Sequence, residues 1–143
     1  MDEKKYMENR LDHQIQWYDN KSMICQKRFK LIRVLEILFA ALIPLLSIFP
    51  DERHIVKITI AVLGTTIVVL AGIKGLNKYQ ELWIAYRTTA ETLKHHKYLF
   101  EAKAQPYDKK DAFQRLVENV EAIISREHSN WSTMIKEAQK KKA

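Results

Sequence analysis

The chain has 143 residues, the length of one domain, and only three glycines and three prolines interrupt it. This composition favours long helices with few turns. Cys25 is the only cysteine, which excludes an intrachain disulfide, and the formal net charge of +7 suits contact with nucleic acid, contact with an anionic membrane surface, or simple solubility.

The first predicted element is an amphipathic helix over residues 2–33. Its inward-facing side chains recur at three- and four-residue steps and therefore fall on one face. The segment is polar with mixed charges, so we expect no signal peptide here. The members of the inward face are Leu11, Ile15, Tyr18, Ser22, Cys25, Phe29 and Ile32.

The next segment, residues 31–49, is the first of two predicted membrane spans. The uncharged run that follows Glu36 is shorter than the roughly twenty residues that usually cross a bilayer. Inclusion of the preceding turn adds Arg33 and Glu36, whose side chains lie near one end and can reach the interface. Pro44 lies inside the run, and proline is better tolerated in membrane helices than in soluble ones.

The second predicted span, residues 55–73, carries the strongest signal in the chain. Between Lys57 and Lys74 it has no charge and is apolar around its whole circumference. Such a helix is either deeply buried or in lipid, and a chain of this size has too few apolar partners to bury it. We therefore predict a transmembrane hairpin with an extracytoplasmic turn at residues 50–54. A soluble helical bundle is the weaker alternative.

Two further helical segments are predicted after the spans. Residues 74–101 carry a heptad-like seam and are expected to continue the second span without a break. A loop then leads to residues 108–139, a helix with one apolar face, Asp108 as its N-cap and Asp111 in its first turn. The patterns predict an all-α single domain over residues 1–143, in which the hairpin's long helices extend into a cytoplasmic helical bundle.

The basic residues indicate an orientation. Lysines and arginines precede the first span and follow the second, whereas those at the turn are offset by acidic neighbours. The positive-inside rule then places both termini in the cytoplasm. The basic clusters lie where lipid headgroups would be, and acidic residues are interspersed among them. We therefore expect membrane lipids as partners and no nucleic acid.

The sequence shows no constellation typical of an enzyme. Its histidines lack the i,i+4 spacing of a helical metal site, and Cys25 has no cysteine partner. It has no glycine-rich phosphate loop and no nucleophile elbow. We expect no catalytic residue, no metal and no cofactor.

Small residues line one face of the second predicted span. Small residues on a membrane helix permit close packing between helices. The same face could line a narrow pore, with threonine hydroxyls and a valine constriction. Because one hairpin cannot enclose a pore, both interpretations predict a homo-oligomer. The small-residue stripe comprises Ala61, Gly64, Thr65, Val68, Gly72 and Gly75.

Glu36, at the edge of the first predicted span, has two interpretations. In an oligomer it could form a ring of negative charge that attracts cations. The favoured alternative is a surface ion pair with Arg33, three residues earlier on the same helix.

Two motifs resemble those of a known family. The stretch DHQIQWYDNKS fits the pattern D-x-Q-x-x-W-Y-x-x-K-S, and WIAYRTTAETL fits W-x-x-Y-R-x-T-A-E-x-L. Both patterns, and the closing helix, are similar to those of bacterial two-transmembrane SLATT-type proteins, a domain class of unknown function. The resemblance covers nearly the whole chain. The matched residues are Asp12, Gln14, Trp17, Tyr18, Lys21, Ser22, Trp83, Tyr86, Arg87, Thr89, Ala90, Glu91 and Leu93.

The resemblance implies a bacterial inner-membrane protein that acts as a pore-forming effector in prokaryotic conflict or nucleotide-signalling systems. A trigger would then come from a signalling partner protein or from the cytoplasmic helices. The matched polar residues also suggest a buried cytoplasmic network, in which the guanidinium of Arg87 binds the carboxylate of Asp12 or Glu91. The predicted members of this network are Asp12, Gln14, Lys21, Arg87 and Glu91.

These observations predict an oligomeric integral membrane protein that forms an ion channel or pore lined by the second span. The alternative is a non-conducting membrane scaffold that recruits partners through its cytoplasmic helices.

Overall fold

The computed structural model describes residues 2–48 and 54–140. In these two ranges all regular structure is helical, without strands, which confirms the predicted all-α class. A short helix, α1, leads through one π-helical turn directly into the long helix α2, and three further helices follow. The elements are α1 (Glu3–Tyr6), the π turn (Met7–Asp12), α2 (His13–Ser47), α3 (His54–Asn77), α4 (Tyr79–Glu101) and α5 (Ala112–Lys140).

The chain divides into two compact units. The terminal unit consists of Met1–Asn20 and Ala85–Ala143, and the middle unit consists of Lys21–Ile84. Helices α2 and α4 each contribute residues to both units.

The terminal unit has a conventional apolar core. On α5, Leu116, Val120 and Ile124 are spaced four residues apart, so they share one helical face, and all three are buried. This face packs with buried residues of the N-terminal helices, of α4 and of the loop that follows α4. The core residues are Tyr6, Leu11, Ile15, Tyr18, Ala90, Leu93, Tyr107, Leu116, Val120 and Ile124.

The middle unit leaves its apolar surface open. No residue of α3 is buried, and Ile55 and Val68 are 69% and 71% exposed. The helical stretch His54–Glu101, which contains α3, is long and apolar enough to cross a membrane, and it is the one such stretch among the described residues. Residue 49 and residues 50–53, which carry the end of the predicted first span and most of the predicted turn, lie outside the described residues.

Helix α2 joins two segments that the sequence analysis separates. It runs without interruption from His13 to Ser47 and includes Pro44. Proline lacks a backbone N–H, so one hydrogen bond of the helical ladder is missing there. Near the end of the helix, the hydroxyl of Ser47 donates to the Pro44 carbonyl at 2.7 Å.

The prediction of an unbroken helix through residues 74–101 is wrong. Helix α3 ends at Asn77, and Lys78 has φ 47°, in the left-handed region that most L residues avoid. The Leu82 N–H then donates to the Lys78 carbonyl at 3.0 Å, which begins α4. The Asn77 side-chain amide donates to the Ile73 carbonyl at 2.9 Å, a local bond typical of residues at helix ends.

Helix α4 ends in a Schellman motif centred on Lys103. The Ala104 N–H donates to the Leu99 carbonyl at 2.9 Å, and the Lys103 N–H donates to the Phe100 carbonyl at 3.0 Å. Lys103 has φ 52°, the left-handed conformation that this motif requires and that glycine usually supplies.

Helix α5 begins at Ala112, so the prediction of Asp108 as its N-cap is wrong. Tyr107 is only 2% exposed, and its ring lies against His96 and Phe100 of α4. The residues around it form turns and bends before the helix begins. The Asp111 carbonyl accepts the Arg115 N–H at 3.0 Å, and the Asp111 carboxylate accepts the Arg115 Nε at 2.6 Å. Asp111 therefore lies at the start of the helix.

Candidate functional site

The small-residue stripe of α3 is open along its length. A Cβ atom built on Gly64, Gly72 or Gly75 would meet nothing within 4 Å, and Val68 is 71% exposed. No part of the described chain therefore packs closely against these three glycines. The described part of the chain leaves the stripe uncovered.

A shallow groove of about 430 Å³ lies on the same helix beside the stripe. It includes Ala61 and Thr65 of the stripe and the neighbouring Thr66. The hydroxyls of Thr65 and Thr66 donate to the carbonyls of Ala61 and Val62 at 2.9 and 2.8 Å. Their donor hydrogens are thus used within the helix, and the groove has a largely apolar surface.

Glu36 has a partner that sequence reasoning missed. Its Oε2 accepts from Lys74 Nζ on α3 at 2.6 Å, whereas the predicted contact with Arg33 is long, at 3.5 Å. Glu36 is only 7% exposed. An i,i+3 rule finds neighbours on one helix, so it could find Arg33 but not a lysine on another helix.

The second oxygen of Glu36, Oε1, takes no part in the contacts with Lys74 and Arg33. Oε1 is buried and has no hydrogen-bond partner among the residues that the structure describes. A groove of about 320 Å³ adjoins Glu36, and we call it the Glu36 groove. It is lined by Arg33, Glu36, Ile37, Ala40, Ile67, Ala71 and Lys74.

The predicted polar network does not form one buried cluster. Arg87 contacts Glu91 at 2.8 Å, one of its two expected partners, but its side chain is 55% exposed. Its second contact is Asp19, at 3.3 Å, which sequence reasoning did not include. Asp19 also accepts from Lys94 at 2.6 Å, and this hydrogen bond raises the pKa of Lys94.

The remaining predicted members of the network lie elsewhere. Asp12 pairs with Lys97 at 2.6 Å, and that hydrogen bond raises the pKa of the lysine. Gln14 is partly buried, and no hydrogen bond within the described ranges joins its side chain to Asp12, Arg87 or Glu91. Lys21 is exposed and belongs to the middle unit.

A second polar cluster fastens the N-terminus of the terminal unit to α5. Arg10 binds Glu121 with two hydrogen bonds, Nε to Oε1 at 3.0 Å and Nη2 to Oε2 at 2.9 Å. The Tyr6 hydroxyl donates to the same carboxylate at 3.1 Å. The bond from Arg10 lowers the pKa of Glu121, while burial, followed by the bond to Glu121, raises the pKa of Tyr6.

A third cluster surrounds Tyr107. The Asn119 amide donates to the Tyr107 hydroxyl at 2.9 Å, and that hydroxyl lies 2.6 Å from His96 Nδ1. Because the oxygen already accepts one hydrogen, the simplest arrangement has Tyr107 donating to a neutral His96. Burial, and then the neighbouring His95, lower the pKa of His96, which agrees with the neutral form.

The terminal unit also has an open cleft of about 900 Å³ near this region. Its walls carry as many lysines as carboxylates, and Phe100, Tyr107 and Phe113 supply apolar surface. Within the described ranges, no group of three or more histidine, cysteine, aspartate or glutamate side chains is placed to hold a metal ion.

The chain belongs to a family described as "Protein of unknown function (DUF4231)", whose family model matches residues 13–114. No curated protein and no solved structure matches the chain. Within the matched region, Thr89, Ala90 and Leu93 of the second motif are buried in the terminal unit. Ala90 and Leu93 therefore serve packing, whereas the Thr89 hydroxyl lies 2.9 Å from Glu127 Oε1 on α5 and can donate to it.

Proposed function

We propose that this chain is an integral membrane protein whose copies assemble through α3 and enclose an ion-conducting path. The observation that carries the proposal is the exposure of α3. The helix is apolar over most of its 24 residues, and none of them is buried by the described chain. In water this surface would be strongly unfavourable, whereas lipid or other subunits would cover it.

The dimensions of α3 suit a bilayer. At about 1.5 Å per residue, 24 residues extend roughly 36 Å, longer than the approximately 30 Å hydrocarbon core. The proposed second span comes from α2, whose exposed apolar residues include Ile37, Leu38 and Leu45. With two spans, both termini are cytoplasmic, and the compartment is the bacterial inner membrane that the SLATT-type resemblance implies.

The open stripe supports assembly. Gly64, Gly72 and Gly75 have free space around them, so a helix from another copy can approach the backbone closely. Two spans from one chain cannot surround a water-filled path, and conduction therefore requires an oligomer. In this proposal the protein is not an enzyme, and the ions are the permeant species.

Ion flux into liposomes tests the proposal with a matched pair of variants. Gly64→Trp blocks the stripe, and Ile55→Trp places the same ring roughly two and a half turns earlier, on the opposite side of α3. We expect flux with the wild type and Ile55→Trp, and loss of flux with Gly64→Trp in an oligomer of unchanged mass. Undiminished flux through intact Gly64→Trp oligomers would contradict a pore along this stripe.

A specific observation favours a non-conducting scaffold as the second candidate. The hydroxyl hydrogens of Thr65 and Thr66 are donated to backbone carbonyls of α3, so these two side chains offer a permeating ion only their oxygens as acceptors and no hydrogen-bond donor. In that case the stripe only packs helices, and the cytoplasmic helices recruit partners such as a signalling protein. Intact oligomers that give no flux under any condition would favour the scaffold. Full recovery of the protein in the detergent-free soluble fraction would contradict both candidates.

A further inference from the structure

We infer that the Glu36 groove binds a phospholipid whose headgroup carries both a phosphate and a hydrogen-bond donor, as in phosphatidylethanolamine. The inference rests on the proposed membrane location and adds a lipid-specific site to it. It is independent of whether the protein conducts ions.

The first observation is the unsatisfied oxygen of Glu36. The side chain is only 8% exposed, and Oε1 has no hydrogen-bond partner within the described residues. A buried carboxylate oxygen without a donor is costly, because it has lost water and gained nothing in exchange. A ligand that brings an N–H or O–H group to Oε1 would remove this cost.

The second observation is the charge around that oxygen. Arg33 and Lys74 are two cations against one carboxylate, so the trio carries a net positive charge. A metal cation would meet repulsion from both basic groups and is therefore a poor candidate. The ligand that fits presents a donor to Glu36 and an anionic group, such as a phosphate, to Arg33.

Arg33 can leave Glu36 and bind a phosphate instead. Its guanidinium lies 3.5 Å from Glu36, and its side chain is 59% exposed. A contact this long and this exposed contributes little to stability, so Arg33 can turn towards a phosphate at small cost. Lys74, at 2.6 Å, would keep Oε2 in place.

The third observation is the apolar wall of the groove. Beside the charged trio it consists of Ile37 and Ala40 of α2 and Ile67 and Ala71 of α3. Such a wall has no attraction for a free phosphate but suits an acyl chain. The combination of a charged end and an apolar wall is the chemistry of a phospholipid.

The test compares two lipids that differ in their donors. Phosphatidylethanolamine and phosphatidylcholine share one phosphate and one positive nitrogen, but only the ethanolamine has N–H groups. Native mass spectrometry of the full chain in detergent, with the two lipids at equal concentration, measures the preference. A charge-assisted hydrogen bond corresponds to about a tenfold preference for phosphatidylethanolamine.

Three variants test whether the preference for phosphatidylethanolamine depends on Glu36 and its groove. Glu36→Gln should reduce it to less than about twofold, because the amide can turn its NH₂ towards the groove. Glu81→Gln, also in the middle unit and paired with a lysine but 66% exposed, should keep it. Ala71→Phe fills the groove without touching the charges and should weaken binding of both lipids. Equal binding of the two lipids by the wild type, or an unchanged preference in Glu36→Gln, would overturn the inference.

Two further arms separate the alternatives. Soluble glycerophosphoethanolamine, which has the headgroup but no chains, should not compete, and effective competition would overturn the choice of a lipid. Flotation of the same preparation with liposomes tests the membrane location. Protein that floats but shows no lipid preference contradicts this inference alone, whereas protein that does not float contradicts the proposed function as well.

Discussion

The terminal unit and the middle unit differ in the burial of their apolar side chains. In the terminal unit, Leu11, Leu93 and Leu116 are completely buried, whereas in the middle unit Leu31 and Val68 are 61% and 71% exposed. The terminal unit therefore provides its own hydrophobic core, whereas the described residues of the middle unit leave many of their apolar side chains uncovered. This difference agrees with the proposal that α3 lies in a membrane.

Truncation of a core leucine gives the largest expected contrast between the units. Leu93→Ala should lower the free energy of unfolding by about 2–5 kcal/mol, because it leaves a cavity in a fully packed site. Val68→Ala should change it by less than about 0.5 kcal/mol in the detergent-solubilised monomer, because that side chain is open. Thermal denaturation in mild detergent measures both. Comparable losses would show that α3 is covered even in the monomer.

The Arg10–Glu121 pair gives a smaller effect. Glu121→Gln should cost about 1 kcal/mol, because both side chains are 41% exposed and solvent screens the pair. Glu118→Gln, on the exposed side of α5, is the matched control and should be nearly neutral.

The same pair predicts a pH dependence. The pKa of Glu121 is lower in the folded protein than its ordinary value of 4.5, so its stabilisation is present above that value and is lost as the pH falls through the folded pKa. The stability difference between wild type and Glu121→Gln should therefore shrink in acid. A difference that stayed constant down to pH 2 would contradict the assignment.

A change at Lys103 should stabilise the terminal unit slightly. Lys103 has φ 52°, and glycine adopts this conformation without the steric cost of a Cβ. Lys103→Gly should raise the free energy of unfolding by about 0.5–1 kcal/mol. Lys110 does not have a left-handed backbone, so Lys110→Gly is the control. It should lower the free energy of unfolding by roughly 0.3 kcal/mol, because glycine makes the unfolded chain more flexible.

The smallest expected effect is a pH dependence near neutrality. The pKa of His96 is lowered from its ordinary 6.5 by burial, so below that value the unfolded chain takes up a proton more readily. Stability of the terminal unit should decrease as the pH falls below about 6.5, and His96→Gln should remove this part of the dependence. His13→Gln, at an exposed histidine of the same unit, is the control, and an identical loss in both variants would contradict the assignment.

The sequence predicted the helical class and the strongly apolar segment because both depend on local composition and period. It missed the break at Lys78 because a left-handed lysine is an exception to residue preference, which cannot be recognised from its neighbours. It also missed the partners of Glu36 and Asp12, Lys74 and Lys97, since contacts between helices depend on how faces meet in three dimensions. The pairing of Arg87 with Glu91 was accessible because those residues are four apart on one helix.

Tyr6 illustrates the same limit at the N-terminus. It is buried with Leu11, Ile15 and Tyr18, yet it lies five residues before Leu11 and so falls outside the three- and four-residue steps of an α-helix. The π turn accounts for the extra residue. A search for regular period could not include Tyr6 in the inward face.

The π turn also shows how the helix can accommodate one extra residue without a change in its buried face. Its exposed members Glu8 and Asn9 lie between the buried Tyr6 and Leu11, and removal of either would leave a four-residue interval, which an ordinary α-helix spans. A version of this helix that is one residue shorter could thus keep the same inward face. In an alignment, a one-residue gap within this turn would signal a change of helical winding and an unchanged core.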